Sequence, residues 1–255
     1  MGDSDDQNCY LCEKNRELCN SHIISEFLYK PLYDNKGRLF GMSTKEDTRR
    51  SFDIEQKGLR EYLLCQSCET QLSRYENYAR DLFHNDRFRV NGNTVEEIEN
   101  LNYKKLRLFF ISILWRSSIS SRPFFRNVDL GPHEETARKM ILNEDPDPWW
   151  RYGCALSDIA DYDEDQRGVI IQPVSSQEGA HHHYFYVLGG FLWHYVVSSH
   201  RAEDSVEELF LERNGSMMVI SKNPESIPFL RQLRAELDEQ GKLGDLIERY
   251  GDDEE

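Results

Sequence analysis

Apolar residues recur at two periods along this chain, and the change of period divides it. From Glu69 onward, Leu72, Tyr75, Ala79, Leu82 and Phe83 fall at steps of three and four, which predicts an amphipathic helix. Leu106, Phe109, Phe110, Ile113 and Leu114 mark a second helix over 103–117, apolar all round and therefore expected in the core. Ser117, Ser118, Ser120, Ser121 and Pro123 stop it. Between these helices Asn91-Gly92-Asn93 reads as a turn, with a short polar helix over 95–101. Glu134 to Leu142 reads as another short helix, ended by Asp145-Pro146-Asp147-Pro148.

Beyond residue 165 the pattern turns strand-like. Val169–Val174, Tyr184–Leu188 and Phe191–Val197 read as strands, the last two joined by a turn at Gly189-Gly190. Asn214-Gly215, flanked by 208–212 and 217–220, predicts a further hairpin. Leu230, Leu233 and Leu237 define a closing helix ended near Gly241, and Leu243, Leu246, Ile247 and Tyr250 predict one or two more turns. Turns this short imply one antiparallel meander, because parallel pairing needs crossovers of about a dozen residues or more. The helices at 106–114 and 230–237 are expected to cover its inner face. Tyr184, Tyr186 and Leu188 share one face while Phe185 and Val187 share the other, so the outer face is also partly apolar. That pattern calls for a cover there, by a protein partner or a second subunit.

The fold class expected is α+β: an N-terminal zinc module, a helical middle, and a small antiparallel sheet with C-terminal helices. The units are an acidic tail at 1–7, the zinc module at 8–90, an α+β domain at 91–250 and a second acidic tail at 251–255, with a soft boundary between 85 and 103. Within the first unit Asp34-Asn35-Lys36-Gly37 reads as a turn and residues 42–58 as a polar loop.

Composition narrows the function. Of 255 residues 38% are hydrophobic and 30% charged, with a net charge of −15, enough for a core and adverse to general coating of DNA. Asp3, Asp5 and Asp6 at one end and Asp252, Asp253, Glu254 and Glu255 at the other are expected to be solvated and disordered. No signal-like segment opens the chain and no run of 18 apolar residues occurs; Tyr184 to Val197 is interrupted by Gly189, Gly190 and His194. Cytoplasmic localisation without membrane contact is the expectation, and six cysteines suit a reducing compartment.

Four of those cysteines carry the chemistry. Cys9 and Cys12 form one CxxC pair, and Cys65 and Cys68 another. Each two-residue spacer lets two thiolates face one tetrahedral ion, so the four predict a closed structural Zn2+ site. The second pair opens the helix that follows, where the positive helix N-terminus favours thiolate. Cys19, seven residues past Cys12, reads as a semi-buried free thiol or a replacement ligand, and Cys154, with no partner motif, as a core residue. His181-His182-His183 would place two imidazoles on one strand face but lacks an acid or cysteine at ligand spacing. Trp149-Trp150 reads as a core anchor. Lys104, Lys105 and Arg107, and more loosely Arg49, Arg50 and Arg60, form the basic clusters.

The order CxxC, Ser21-His22-Ile23, then Leu64-Cys65-x-x-Cys68-Glu69 resembles the HNH-type treble clef over residues 9 to about 83. More widely, the chain resembles uncharacterised bacterial proteins carrying SHII, LLCxxCE and ILWR segments, the last here Ile113 to Arg116. The HNH resemblance implies that zinc holds the module, that His22 is the general base of a metal-dependent endonuclease, and that Mg2+ or Mn2+ neutralises the scissile phosphate. It puts Ser21 where an ion ligand is usual, Glu69 where a helix His or Asn stands, and Arg60 at the middle Asn. Serine is a poor ligand for a hard cation, while Glu69 is a good one. Glu76 is a further acidic candidate, or a solvated face residue. Two functions follow as expectations. One is an HNH-like module, weakened or inactive in catalysis, that docks DNA, RNA or protein. The other is an HNH-type DNA endonuclease acting through His22 and Glu69.

Overall fold

The computed structural model describes residues 8–33, 38–41, 53–56, 58–90, 95–160, 169–201 and 205–241. The expected tails, the turns at 34–37 and 91–93, most of the 42–58 loop and the turns beyond Gly241 lie outside them. In chain order the described elements are β1 (Leu18–His22), β2 (Arg38–Gly41), β3 (Asp53–Gln56), β4 (Arg60–Cys65), α1 (Gln66–His84), β5 (Val95–Ile98), α2 (Tyr103–Ile119), α3 (His133–Leu142), β6 (Gly153–Ile159), β7 (Ile171–Glu178), β8 (His181–Leu188), β9 (Phe191–Val197), β10 (Met217–Lys222) and α4 (Pro228–Glu239), with short 3-10 turns between some of them. The protein is α+β.

α2 is the central element. Asn102 caps its N-terminus by accepting from the Lys105 amide at 3.0 Å, and every residue from Leu106 to Ser117 is buried. The expected all-round burial is what is seen. α1 lays Leu72, Tyr75 and Ala79 inward. Trp193 of β9 joins the layers: Phe83 of α1 stacks on it at 5.6 Å, and Phe110 of α2 meets it edge-on at 5.3 Å. One continuous core cluster therefore contains Leu11 and Leu64 from the cysteine-bearing segment together with Phe110, Leu188 and Trp193.

The main sheet has six strands in the order β5-β10-β6-β9-β8-β7. β7, β8 and β9 form the expected meander, and Leu188 faces Phe191 across the Gly189-Gly190 turn. The purely antiparallel expectation fails at β10, which pairs parallel with β6 and antiparallel with β5. β10 reaches β6 after the whole meander has intervened, so the short-turn rule does not govern that pairing. Asn214-Gly215 does precede β10, but residues 205–209 before it form a 3-10 turn and no strand. Gly215 is required there for a different reason. Its φ is +84° and a Cβ would lie 2.3 Å from the Leu101 carbonyl oxygen. The polar helix expected over 95–101 is instead strand β5.

The two helices expected on one face cover opposite faces. Tyr184, Tyr186, Leu188, Trp193 and Tyr195 belong to the cluster around α2. Val187 and Leu192 pack instead with Ile227 and Leu230 at the start of α4, and Phe210 covers Ala155 and Val196. The apolar second face, which from sequence pointed to a partner or second subunit, is thus covered by the chain's own C-terminal part.

Buried ion pairs fix the layers to one another. Arg89, after α1, donates to Asp158 of β6 at 2.5 Å, and the Val90 amide donates to the other oxygen of that carboxylate at 2.9 Å. Arg107 is 1% exposed and donates to the carbonyls of Tyr152, at 2.6 Å, and Arg151. It is therefore an internal clamp, which leaves Lys104 and Lys105 as the exposed members of that basic cluster.

Candidate metal centre and the histidine beside it

The first cysteine pair lies on a tight turn. The Cys9 amide donates to the Lys14 carbonyl at 3.0 Å, and Glu13 closes the turn with a φ of 57°. The Tyr10 amide donates to Leu63 of β4 at 3.0 Å, which brings this turn against the second pair. The Cys65 amide then donates to the Cys9 sulfur at 3.3 Å, and Cys68 sits in the first turn of α1. The four Sγ atoms of Cys9, Cys12, Cys65 and Cys68 all lie within 4.8 Å of one another, with Cys12 and Cys65 at 3.9 Å. Tetrahedral thiolates at about 2.3 Å from one ion stand about 3.8 Å apart, so the donor set fits a four-coordinate metal. Cys12 is half-buried and the other three are buried, which closes the site.

The four sulfurs sit in unlike surroundings. Burial pushes the Cys9 and Cys68 thiols up, Cys68 further because the neighbouring sulfurs crowd it. Burial also opposes the Cys65 thiolate, but the Ser67 hydroxyl and the Cys68 amide outweigh it and lower this thiol to about 6. Cys19 stays outside the set; its sulfur donates to Gln66 at 3.6 Å, and burial with the nearby Glu69 carboxylate raises its thiol. Cys154 is a buried core residue, as expected.

β1 and β4 pair antiparallel, with His22 opposite Arg60 and Ser21 opposite Glu61. Ser21 is buried and its hydroxyl donates to the Cys19 carbonyl at 3.3 Å. His22 ends β1 with its Nε2 buried, 4.0 Å from Glu26 Oε1 and without a hydrogen-bond partner. Burial first, and then the Arg60 guanidinium, lowers its pKa to about 4, so the imidazole is neutral at pH 7. Gly58, just before β4, keeps a φ of +75°, and a Cβ there would lie 2.4 Å from the Tyr29 hydroxyl beside this histidine.

Several charged groups surround this ring. The charged groups acting most strongly on His22 are Arg60, Glu26, Glu76 and Arg116. Glu69 is in the first turn of α1, next to Cys19, with one buried oxygen lacking a hydrogen-bond partner. Seven residues of helix separate it from Glu76, roughly 10 Å along the axis. Glu76 is no solvated face residue. It accepts from Ser25 at 2.8 Å and from Arg116 at 2.7 Å. Burial acts to raise its carboxyl, and Arg116 and Ser25 reverse this and hold it below its ordinary value.

Arg116 is the residue whose role sequence reasoning missed. It is 1% exposed and donates to the His22 carbonyl at 2.6 Å, to Glu76, and to the Ser112 carbonyl at 3.2 Å. Glu61 makes a second tie, accepting from the Ser120 and Ser121 hydroxyls, each at 2.7 Å. The SHII strand, the helix opened by the second cysteine pair and the ILWR helix end thus meet at one guanidinium. Glu26 was also missed, although four residues after His22 is a spacing that brings side chains together in a turn.

Among the described residues no helix is long and apolar enough to cross a membrane. No family model, curated protein or solved structure matches the chain.

Proposed function

We propose that the chain is a zinc-stabilised protein whose N-terminal unit is an HNH-like treble clef, and that it works by docking nucleic acid or protein instead of by hydrolysis. Zinc is the ion because four thiolates form a soft, tetrahedral set. A cysteine turn, a two-stranded ribbon and a helix supplying the last two ligands support the treble-clef reading. One observation carries the non-hydrolytic part: the carboxylates that act on His22, Glu26 and Glu76, each have a guanidinium partner. Arg60 lies 3.9 Å from Glu26, Arg116 engages Glu76 at 2.7 Å, and the Ser21 hydroxyl is turned onto backbone. Each guanidinium thus engages a carboxylate that a second cation would otherwise use. Charge distribution supports docking by the first unit. Residues 1–90 carry 14 Lys and Arg against 16 Asp and Glu, so most of the net −15 lies in the remainder.

The second reading is the HNH-type DNA endonuclease, assisted by Mg2+ or Mn2+. What favours it is the neutral, unbonded Nε2 of His22, the form a general base needs. A pKa of about 4 makes that base weak at neutral pH. Plasmid incubated with the purified chain and Mg2+, Mn2+ or Ni2+, beside His22→Ala, separates the two. We expect no cleavage above the His22→Ala background, and cleavage that this substitution abolishes would overturn the proposal.

A further inference from the structure

A cleft of about 380 Å³ opens far along the chain from the cysteines, between Trp149 ahead of β6 and the segment leading from β9 into β10. Glu207, Glu208 and Glu212 line it, with Arg201 and Arg213. Arg213 is engaged by Asp147 at 2.9 Å. Arg201 donates through Nε to one oxygen of Glu207 at 2.7 Å, and its guanidinium carbon lies 5.3 Å from the Trp149 ring centroid. Counting Asp147, four carboxylates meet two cations here.

The two partners of the Arg201 pair are unequal. The Glu207 side chain is 7% exposed, whereas that of Arg201 is 65% exposed. The other Glu207 oxygen is buried and has no hydrogen-bond partner among the described residues. A buried carboxylate oxygen left unpaired is costly and is best relieved by a charge-assisted donor. An indole face beside carboxylates attracts a cation, and guanidinium stacks on it better than ammonium does. Arg201 therefore makes half of a contact that the cleft can make in full. It stacks on the indole and leaves one carboxylate oxygen unused.

We propose that this cleft binds a guanidinium group, which displaces the exposed Arg201 side chain from Trp149 and engages both oxygens of Glu207 bidentately. The ligand is a partner's arginine side chain or a free guanidino compound. Residues 91–255 carry 30 Asp and Glu against 17 Lys and Arg, and a field of that sign steers a basic ligand toward the cleft.

The test titrates two probes, agmatine and acetyl-Gly-Arg-Gly-amide, into the full chain by calorimetry, with acetyl-Gly-Lys-Gly-amide as the comparison. Saturable binding of the arginine probes is expected, tightened by about tenfold in Arg201→Ala, where the internal competitor is gone, and weakened by about tenfold in Glu207→Gln. Trp149→Phe should retain binding and Trp149→Leu should lose it. Tighter binding of the peptide assigns the site to a protein partner, and tighter binding of agmatine to a small molecule. No saturation by either arginine probe with Arg201→Ala, or binding that Glu207→Gln leaves unchanged, overturns the proposal. A lysine peptide that binds as tightly as the arginine peptide overturns it as well. Should Glu207→Gln fail to fold, the Arg201→Ala gain and the Phe-against-Leu contrast at Trp149 decide the matter.

Discussion

Replacing Arg116 by Met should be among the most damaging single changes in this protein, and the structure says why. Methionine keeps most of the apolar stem inside the α2 layer, so the change isolates the guanidinium. Three groups lose a donor: the His22 carbonyl at 2.6 Å, Glu76 Oε1 at 2.7 Å and the Ser112 carbonyl at 3.2 Å. Glu76 is left with Ser25 alone, its side chain 22% exposed. Removing one partner of a buried pair leaves an uncompensated charge and typically costs about 3–5 kcal/mol. The loss should depend on pH with a definite sign. In the native chain the Glu76 carboxyl is held below its ordinary value, so its contribution is present above the unfolded pKa and is lost as pH falls through the folded one. Without Arg116 the strongest influence lowering Glu76 is gone and burial is opposed chiefly by Ser25, so the carboxyl rises and a protonated Glu76 becomes tolerable. The deficit of Arg116→Met should then be smaller at pH 4 than at pH 7, and Glu76→Gln added to Arg116→Met should recover part of it. Urea unfolding of the two single variants and the double, at both pH values, makes the measurement. A deficit under about 1 kcal/mol at pH 7, or one that does not shrink in acid, would refute the buried-pair argument.

Three further outcomes are expected. Elemental analysis should find one zinc per chain. Cys65→Ser or a strong chelator should unfold the N-terminal unit, because structural zinc binding supplies roughly 10 kcal/mol or more of folding free energy in small modules; a demetallated chain of undiminished stability would contradict this. Phe110→Ala, at a fully buried position packed edge-on against Trp193, should cost about 3–5 kcal/mol and lower the melting temperature sharply, whereas a loss under about 0.5 kcal/mol would show that α2 is not the core element. His22 should titrate near pH 4 by NMR. Its folded pKa lies below the 6.5 of an ordinary histidine, so stability should fall as pH drops from 6.5 toward 4, and His22→Gln should flatten that limb; a midpoint near 6.5 would place the ring in solvent.

What the sequence showed and what it hid divide along physical lines. α2, α3 and α4 were legible because each imposes a local period and ends at a breaker; the structure gives Tyr103–Ile119, His133–Leu142 and Pro228–Glu239. β9 was legible as an apolar run that begins directly after Gly189-Gly190. β6 was missed because all seven of its residues are buried, so neither face is polar and no alternation appears. Val95–Ile98 resembled a polar helix because three of its four residues are not buried, and its pairing with Met217–Ile220 decides its conformation. The four cysteines were legible from spacing alone, since an ion needs its ligands at short, repeated intervals.

The surroundings of His22 were not legible, and the reason bears on how the candidate site should be read. A family pattern transfers positions along the chain, and it put Glu69 beside His22 because both flank the cysteine pairs. Seven residues further along α1, Glu76 is among the charges acting on the ring, and it is held by a residue 40 positions further on. Nothing local in Ile113 to Arg116 announces that partner, since an arginine ending an apolar helix is usually solvated. Its burial at 1% is a tertiary fact. Arg89 with Asp158 and Arg107 with the Tyr152 carbonyl follow the same rule across separations of 69 and 45 residues. Among the described residues Arg89, Arg107 and Arg116 serve as internal fastenings. Arg116 holds both the His22 carbonyl and Glu76, which is why removing it tests the architecture and the non-hydrolytic reading of the site at the same time. If the guanidinium is what keeps a second cation away from Glu76, Arg116→Met should bind Mn2+ near His22 where the native chain does not. Paramagnetic broadening of the His22 ring resonances in the variant alone is the expected signature, and equal broadening in both proteins would show that the guanidinium excludes nothing.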